Sequence, residues 1–458
     1  MTGILSTAVA FVVALASLIA IHEAGHFLAA KWCGVKVLRF SIGFGRPLLI
    51  WRSGQDRTEW VIAAFPLGGY VKMLDEGEGH VAPSELARAF NRKPVWSRAA
   101  IVSAGPIANF LFAVVLYFGM GLHGSHQARP ILGNPDPGSV AERAGIKAND
   151  EVLKIDGDGV RTWQELRWRL LQLGVDKKDA SLDIRSEDGS LHQALLDLGS
   201  FALPDDQSDP IAKTGLHIYR PPLPAIIGRL TPGGVAERSG LQTDDKIISA
   251  GGQRIRDWAD LVETVRANPG KPLVLEIVRS DANLILTATP EVVTDSSGTG
   301  AHIGRIGAAP RPPDQNVEKY WILVSLGPLE SAKQAVLRTY ETAWFSLRML
   351  GRMIAGELSW KNLSGPVTIA EYAGQSAQLG VAPFLSFLAL ISISLGVLNL
   401  LPIPLLDGGH LLYYATEFAI GRPVPGRWLE MGQRLGFSII ILATSLAIFN
   451  DLRRVLFN

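Results

Sequence analysis

Residues 4–30 read ILSTAVAFVVALASLIAIHEAGHFLAA. The first eighteen of these, Ile4 to Ile21, carry no charge. A helix needs about 20 apolar residues to cross a hydrocarbon core of about 30 Å, so residues 1–30 are expected to form a spanning helix. The run then meets His22, Glu23 and His26. Two histidines four apart project from one helix face and can grip one metal ion. Glu23 leans to the side, where it can take a proton from a water on that metal. Ionisable groups at membrane depth are costly unless they perform a task, so the stretch reads as a functional site. Ala14-Leu15-Ala16 has the small residues of a cleavage site. No Lys or Arg precedes the apolar run, however, so a spanning helix is expected rather than a cleaved signal peptide.

Composition agrees with a chain partly in membrane and partly in water. Of 458 residues, 47% are apolar and only 19% charged, too apolar for an ordinary soluble protein. The length allows three or four domains. A net charge of +1 offers no field for nucleic acid. A single cysteine, Cys33, excludes an internal disulfide framework and a Cys-rich zinc site.

Residues 31–98 carry Lys31, Lys36, Arg39, Arg46, Arg52, Arg57, Arg88, Arg92, Lys93 and Arg98, and nothing basic precedes Ile4. The positive-inside rule then places the N-terminus outside, this loop in the cytoplasm and the histidines toward the cytoplasmic face. Within the loop, Ser41-Ile42-Gly43-Phe44-Gly45-Arg46-Pro47 reads as a turn. Thr58 to Met73, rich in β-formers and broken at Pro66 and Gly68-Gly69, reads as a hairpin. An exposed strand edge there can hold an extended substrate by strand addition. Residues 99–122 are uncharged and predict a second span, with Asn109 its notable polar residue.

Residues 126–305 are soluble in composition and repeat at an offset of 95: PGSVAERAG from Pro137 answers PGGVAERSG from Pro232, and Trp163 answers Trp258. Two copies of one small β-rich domain are expected, over 126–215 and 220–305. Their pattern resembles PDZ domains, which bind peptides by strand addition. The binding loops are expected near Ile131-Leu132-Gly133 and Ile226-Ile227-Gly228. Residues 306–378 are expected to hold a Pro/Gly-rich linker and an amphipathic helix over 330–357. The apolar side of that helix comprises Val336, Tyr340, Ala343, Trp344, Leu347, Leu350 and Ile354, and is expected to lie on protein or on the membrane surface. A third uncharged span falls in 379–410 and breaks at Pro402, Pro404 and Gly408-Gly409, presenting Asp407 at membrane depth. A fourth falls within 431–452. Four spans put both termini outside, against which Arg453 and Arg454 weigh.

Two histidines leave zinc short of ligands, since a catalytic site needs a third protein donor and an open position. Asp407 and His410 both qualify by position. HEAGH in a first span, AGPIANF (Ala104 to Phe110) in a second, paired PDZ-like repeats and NLLPIPLLDGGH (Asn399 to His410) together resemble the site-2 protease family over essentially the whole chain. The resemblance implies four transmembrane helices, a membrane-associated β-hairpin and tandem PDZ-like α/β domains. It implies Zn2+ on His22, His26 and Asp407, with Glu23 as the general base. It further implies that Asn399, the turn Gly43-Phe44-Gly45 and the hairpin residues Gly68, Gly69 and Tyr70 meet the substrate. The implied reaction is cleavage in or near the membrane segment of single-pass proteins, anti-sigma factors and signal-peptide remnants, after a first cut. The implied setting is the bacterial inner membrane and its lipid, with the PDZ-like pair in the periplasm excluding uncut proteins by size. The competing expectation is a non-catalytic membrane scaffold whose PDZ-like domains recruit outer-compartment proteins. A PDZ-bearing serine protease lacks a GxSxG motif, and a transporter would bring more spans and inverted repeats.

Overall fold

The computed structural model describes residues 2–77, 79–199, 209–219, 221, 223–294, 302–311, 319–360 and 364–457. The chain divides into two compact units, Met1–Ser125 with Leu323–Phe457, and His126–Ile322.

In the first unit, four helices among the described residues are long and apolar enough to cross a membrane: Leu5–Trp32, Val95–His123, Val381–Leu400 and Gly426–Arg453. They belong to α1 (Thr2–Trp32), α2 (Val95–His123), α5 (Val381–Leu400) and α7 (Gly426–Phe457). Between them lie α3 (Pro328–Ile354), α4 (Pro366–Leu379) and α6 (Asp407–Ile420). Helix α2 packs on both α1 and α5. Small residues permit the approach: a Cβ added at Gly25 of α1 would collide with the Ala104 carbonyl of α2, the packing mode favoured where lipid supplies no hydrophobic drive. The apolar residues left outside, among them Leu5, Val9, Leu111, Val115, Leu435 and Leu442, suit a lipid surround.

Helix α3 packs on protein mainly through a face other than its apolar stripe. Its inner face is the small, weakly polar row Ser331, Ala335, Thr339 and Thr342, which lies against α2. Ser331 Oγ donates to the Phe118 carbonyl at 2.8 Å. Val336, Tyr340, Trp344, Leu347 and Ile354 are exposed, so the apolar stripe faces away from protein. Helix α4 packs on α1 and owes its first turn to α7. Asp451 accepts from the backbone amides of Gly365, Val367 and Thr368 at 3.1, 2.8 and 3.2 Å, satisfying the orphan donors of a helix start.

The hairpin is larger than expected. Strands β1 (Val37–Ser53) and β2 (Thr58–Met73) form it, so Thr58–Met73 is one arm rather than a hairpin by itself. The register carries two pairings at once. Residues 39–42 lie beside 69–72 and also beside 59–62, while 59–62 lie beside 49–52. Each strand is therefore doubled back, giving a lateral order 69–72, 39–42, 59–62, 49–52. The bend in β1 falls at the expected Ser41–Pro47 turn, where Gly43 and Gly45 take φ of 94° and 87°. That left-handed region is open to glycine at little cost.

The second unit holds two α/β modules, each with its own core. The first has strands Glu151–Ile155, Asp158–Gly159, Ala180–Arg185 and Leu191–Leu196 and helix Trp163–Val175, begun by a Thr162/Glu165 capping box. The second has Lys246–Ala250, Gln253–Arg254, Leu273–Arg279 and Ala282–Ala288 and helix Trp258–Arg266, capped by Asp257. The two edges expected to take peptides are engaged by the chain's own later segments. Tyr219 N donates to Ile131 O at 2.8 Å and Gly133 N to His217 O at 2.9 Å. Likewise Ala308–Pro310 pairs with Ile227–Leu230, and Arg311 N donates to Ile226 O at 2.9 Å. Free backbone for strand addition is thus not what residues 131–133 and 226–228 offer. Parts of the expected linker, 312–318 and 361–363, lie outside the described residues, as does 200–208 of the first expected repeat.

Candidate active site

Helix α1 delivers His22, Glu23 and His26 from one turn. The third donor comes from a chain break. Helix α5 stops at Leu400 ahead of Pro402 and Pro404, and Leu405 turns the backbone at φ 90°. A non-glycine residue in that conformation is strained, and such strain clusters at functional sites. The turn starts α6 on Asp407, at the helix end where a carboxylate is favoured. Gly408 is required behind it, because a Cβ would strike the carbonyls of Leu400 and Leu401. The far end of α6 is pinned by Arg98 at the foot of α2, whose guanidinium donates to both Glu417 oxygens at 3.1 and 2.6 Å and lies over the Tyr414 ring.

Three donor atoms converge. His22 Nε2 lies 3.2 Å from His26 Nε2. Asp407 Oδ2 lies 3.3 Å from His22 Nε2 and 3.5 Å from His26 Nε2. A tetrahedral zinc ion with bonds of about 2.0–2.1 Å requires donor spacings of about 3.3–3.4 Å, so this triangle has the size of one face of its shell. Asp407 Oδ2 is buried and accepts no hydrogen bond, which is costly for an oxygen with nothing else to hold. Among the described residues, His22, His26 and Asp407 are the one such group of potential metal ligands. His410, the rival by position, is exposed and turned toward Tyr413.

The surroundings prepare the donors. His26 Nδ1 lies 2.8 Å from the Ile101 carbonyl, which can only accept. Nδ1 therefore carries a proton, which in the neutral ring leaves Nε2 bare, the usual second-sphere device at metal-bound histidine. Pro106, inside α2, has no N–H to give the Val102 carbonyl. Gly105 leaves the room: a Cβ there would collide with both imidazoles. On another side, Asn399 Nδ2 lies 3.5 Å from His22 Nε2. Glu23 is 8% exposed.

The sheet reaches the site at Gly69. A Cβ there would strike the Ser41 carbonyl, Ile19 and Glu23 Cγ, so the segment 69–72 runs against α1 at the turn that carries Glu23. Phe44 stacks on Tyr70 with rings 6.2 Å apart and 9° from parallel, joining the Gly43–Gly45 turn to that segment. Arg39 donates to the Tyr70 hydroxyl at 3.2 Å and to Glu59 at 2.7 and 2.9 Å. Hydrogen bonds from Arg52, and then Arg39, hold the Glu59 carboxyl below its ordinary range. Gly43, Phe44, Gly45, Gly68, Gly69 and Tyr70 are thus neighbours along one sheet, with Gly69 set against Glu23.

Sequence reasoning did not foresee the roles of Ile101, Gly105, Asn109 or Arg98. Asn109, the polar residue of an uncharged span, and Gly105, within AGPIANF, were the advance signals.

Residues 10–443 match Peptidase family M50. The chain is 42% identical to "Putative zinc metalloprotease RSc1411" of Ralstonia nicotianae, covering 98% of each chain. It is 41% identical to "Protease RseP" of Yersinia pestis, over 99% of this chain and 100% of that one. It is 40% identical to "Regulator of sigma-E protease RseP" of Escherichia coli, over 97% and 98%. With a match across nearly its whole length, this chain belongs to Peptidase family M50, the site-2 proteases, and is a metalloendopeptidase.

Proposed function

We propose that the chain is an intramembrane zinc protease of the bacterial inner membrane, cutting single-pass membrane proteins in or near their spanning segment after a first cut has shortened them. The observation that carries this reading is the triangle of His22, His26 and Asp407, sized for one ion and set within a bundle of membrane-length helices. These three residues hold Zn2+, in keeping with the names of relatives. Zinc, when bound, supplies Lewis acidity toward a carbonyl oxygen and makes water acidic enough to act near neutral pH.

The remaining work falls to the chain. Glu23 takes a proton from water and returns it to the leaving amide nitrogen. Its low exposure keeps bulk water from competing for that proton. Asn399, beside His22, holds the substrate backbone with its amide. A helix in lipid hides its carbonyls in its own hydrogen bonds, so the substrate must unwind to be cut. The segment Gly68-Gly69-Tyr70, with the Gly43-Phe44-Gly45 turn stacked on it, receives the freed groups by strand addition. The basic loop of residues 31–98 places this chemistry toward the cytoplasm. Names such as "Regulator of sigma-E protease" support an anti-sigma factor as substrate, with signal-peptide remnants as a second class. The two α/β modules of residues 126–322 are PDZ-like, lie in the periplasm and exclude uncut proteins by size. Their edges at 131–133 and 226–228, already paired within the chain, favour obstruction over peptide capture there.

The test is cleavage of a single-span reporter by Glu23→Gln in detergent or lipid, beside zinc analysis of the same sample. Zinc is expected to stay bound while cleavage stops. Retained cleavage would remove Glu23 from its assigned role, and loss of zinc would make it a ligand.

A further inference from the structure

We propose that Asn109 is the positioning residue that makes His22 a metal ligand, its side-chain oxygen accepting a hydrogen bond from His22 Nδ1–H so that Nε2 is left bare. This rests on the metal site proposed above and assigns a residue outside the donor triangle. A neutral imidazole carries its proton on one nitrogen only. For His26 the question is settled by the Ile101 carbonyl. For His22, Nε2 faces His26 and Asp407, so ligation demands that the proton sit on Nδ1.

The group at Nδ1 is the Asn109 amide, whose Nδ2 stands 3.3 Å away. Asn109 is fully buried, and its Oδ1 has no hydrogen-bond partner. A half-turn of the amide exchanges nitrogen and oxygen in place, since the two are nearly equal in size. The two settings have opposite consequences. With Nδ2 against the ring, Nδ1 must be the acceptor, and the ring proton sits on Nε2, where it blocks an ion. With Oδ1 against the ring, Nδ1–H donates and the Nε2 lone pair points into the triangle. Only the second setting is compatible with a loaded site, and it gives the buried oxygen a donor. The residue is also held in place: Ser392 Oγ of α5 donates to the Asn109 backbone carbonyl at 2.8 Å, and both residues are 0% exposed. Asn109 thereby links the ligand on α1 to the helix that carries Asn399.

The experiment is metal titration of the full-length chain in detergent, stripped of metal and read by the visible absorption of added Co2+ and by competition with Zn2+. Wild type, His22→Ala, Asn109→Ala, Asn109→Leu and Asn109→Asp are compared. Loss of the second-sphere acceptor in Asn109→Ala is expected to weaken affinity about 10–100-fold. Asn109→Asp keeps an acceptor but cannot donate, and is expected to hold Co2+ within about threefold of wild type with the same spectrum, as a carboxylate in this place does elsewhere. A role as donor to the ring would leave Asp as damaging as Ala, whereas a role in packing alone would leave Asn109→Leu, which fills the same space without an acceptor, close to wild type. Wild-type affinity in Asn109→Ala or Asn109→Leu, or a tenfold or greater loss in Asn109→Asp, overturns the assignment; the Asp arm decides alone if the Ala variant fails to fold. Wild type that binds no Co2+, or His22→Ala that binds it equally, brings down the metal site and this inference together.

Discussion

Gly105 carries no side chain in the one place where two imidazoles need the space. Substituting alanine there puts a methyl group against His26 Nε2 and His22 Cε1, and a helix backbone cannot retreat as a flexible side chain can. Gly105→Ala is expected to bind zinc at least about tenfold more weakly, a size typical of disturbed metal shells, while the helical circular dichroism is unchanged. Zinc at wild-type stoichiometry in that variant would show that the helices spread to admit the methyl. The paired substitutions at the chain break separate the two rivals left by spacing. Asp407→Asn is expected to lose most of its bound zinc in metal analysis, and His410→Ala to keep it. At this scale much was legible. HEAGH announces two ligands and a base by its spacing, since i and i+4 share a helix face. The partner at residue 407 was narrowed to two candidates but not fixed, because a break of helix at Pro402 and Pro404 has no period to extrapolate. The contacts of Ile101, Gly105 and Asn109 depend on how α2 rotates against α1, which no local pattern encodes.

Elements hold these residues in register. Segment 69–72 touches Glu23 only because Gly69 has no Cβ. Gly69→Val is expected to push the strand off α1 and cut reporter cleavage by about tenfold or more, as a displacement near 1 Å suffices for larger losses. Zinc content should stay normal, since no donor is touched; parallel loss of zinc would mean that the sheet also braces α1. The same sheet carries a pH signature. Glu59 is held below the ordinary glutamate range by Arg52 and Arg39. A depressed carboxyl contributes stability above the ordinary pKa of about 4.3 and loses it as pH falls toward the lowered value. Amide exchange of residues 58–63 should therefore be insensitive to pH-corrected change from 8 to 5 and lose protection below about 4. In Glu59→Gln that acid step should be absent. The β character of residues 58–73 was legible from composition, as was the turn at Ser41–Pro47. The placing of 39–42 between 59–62 and 69–72 was not, because which segments pair across those bends is decided at long range. For α3 the apolar stripe was legible but its direction was not: in lipid the apolar face turns outward and small residues make the helix contacts, the reverse of packing in water.

The whole molecule joins a membrane unit to an interposed pair of modules, and the join is favourable for surgery. The chain leaves the first unit at Ser125 and re-enters at Leu323. Within that unit the two ends are neighbours: Leu326 N donates to Gly121 O at 3.1 Å, and a Cβ on Gly124 would rest 3.1 Å from Ser325 Cβ. Each module closes its own core. The four spans and the soluble middle were legible from hydropathy, which is a property of long windows; the nearness of the exit and return points was not. Excising residues 126–322 behind a short Gly-Ser join is therefore expected to leave α1, α2, α5 and α6 assembled and zinc bound at wild-type stoichiometry. If the modules serve as a size filter, this variant should cut an uncut single-pass substrate that wild type leaves intact, and should still cut the shortened form at a rate within about threefold of wild type, there being no change in the reacting groups. Intact substrate surviving beside efficient cleavage of the shortened form would end the filter reading and leave the modules a different task. Gain of cleavage with no change in zinc would place selectivity outside the membrane and chemistry within it.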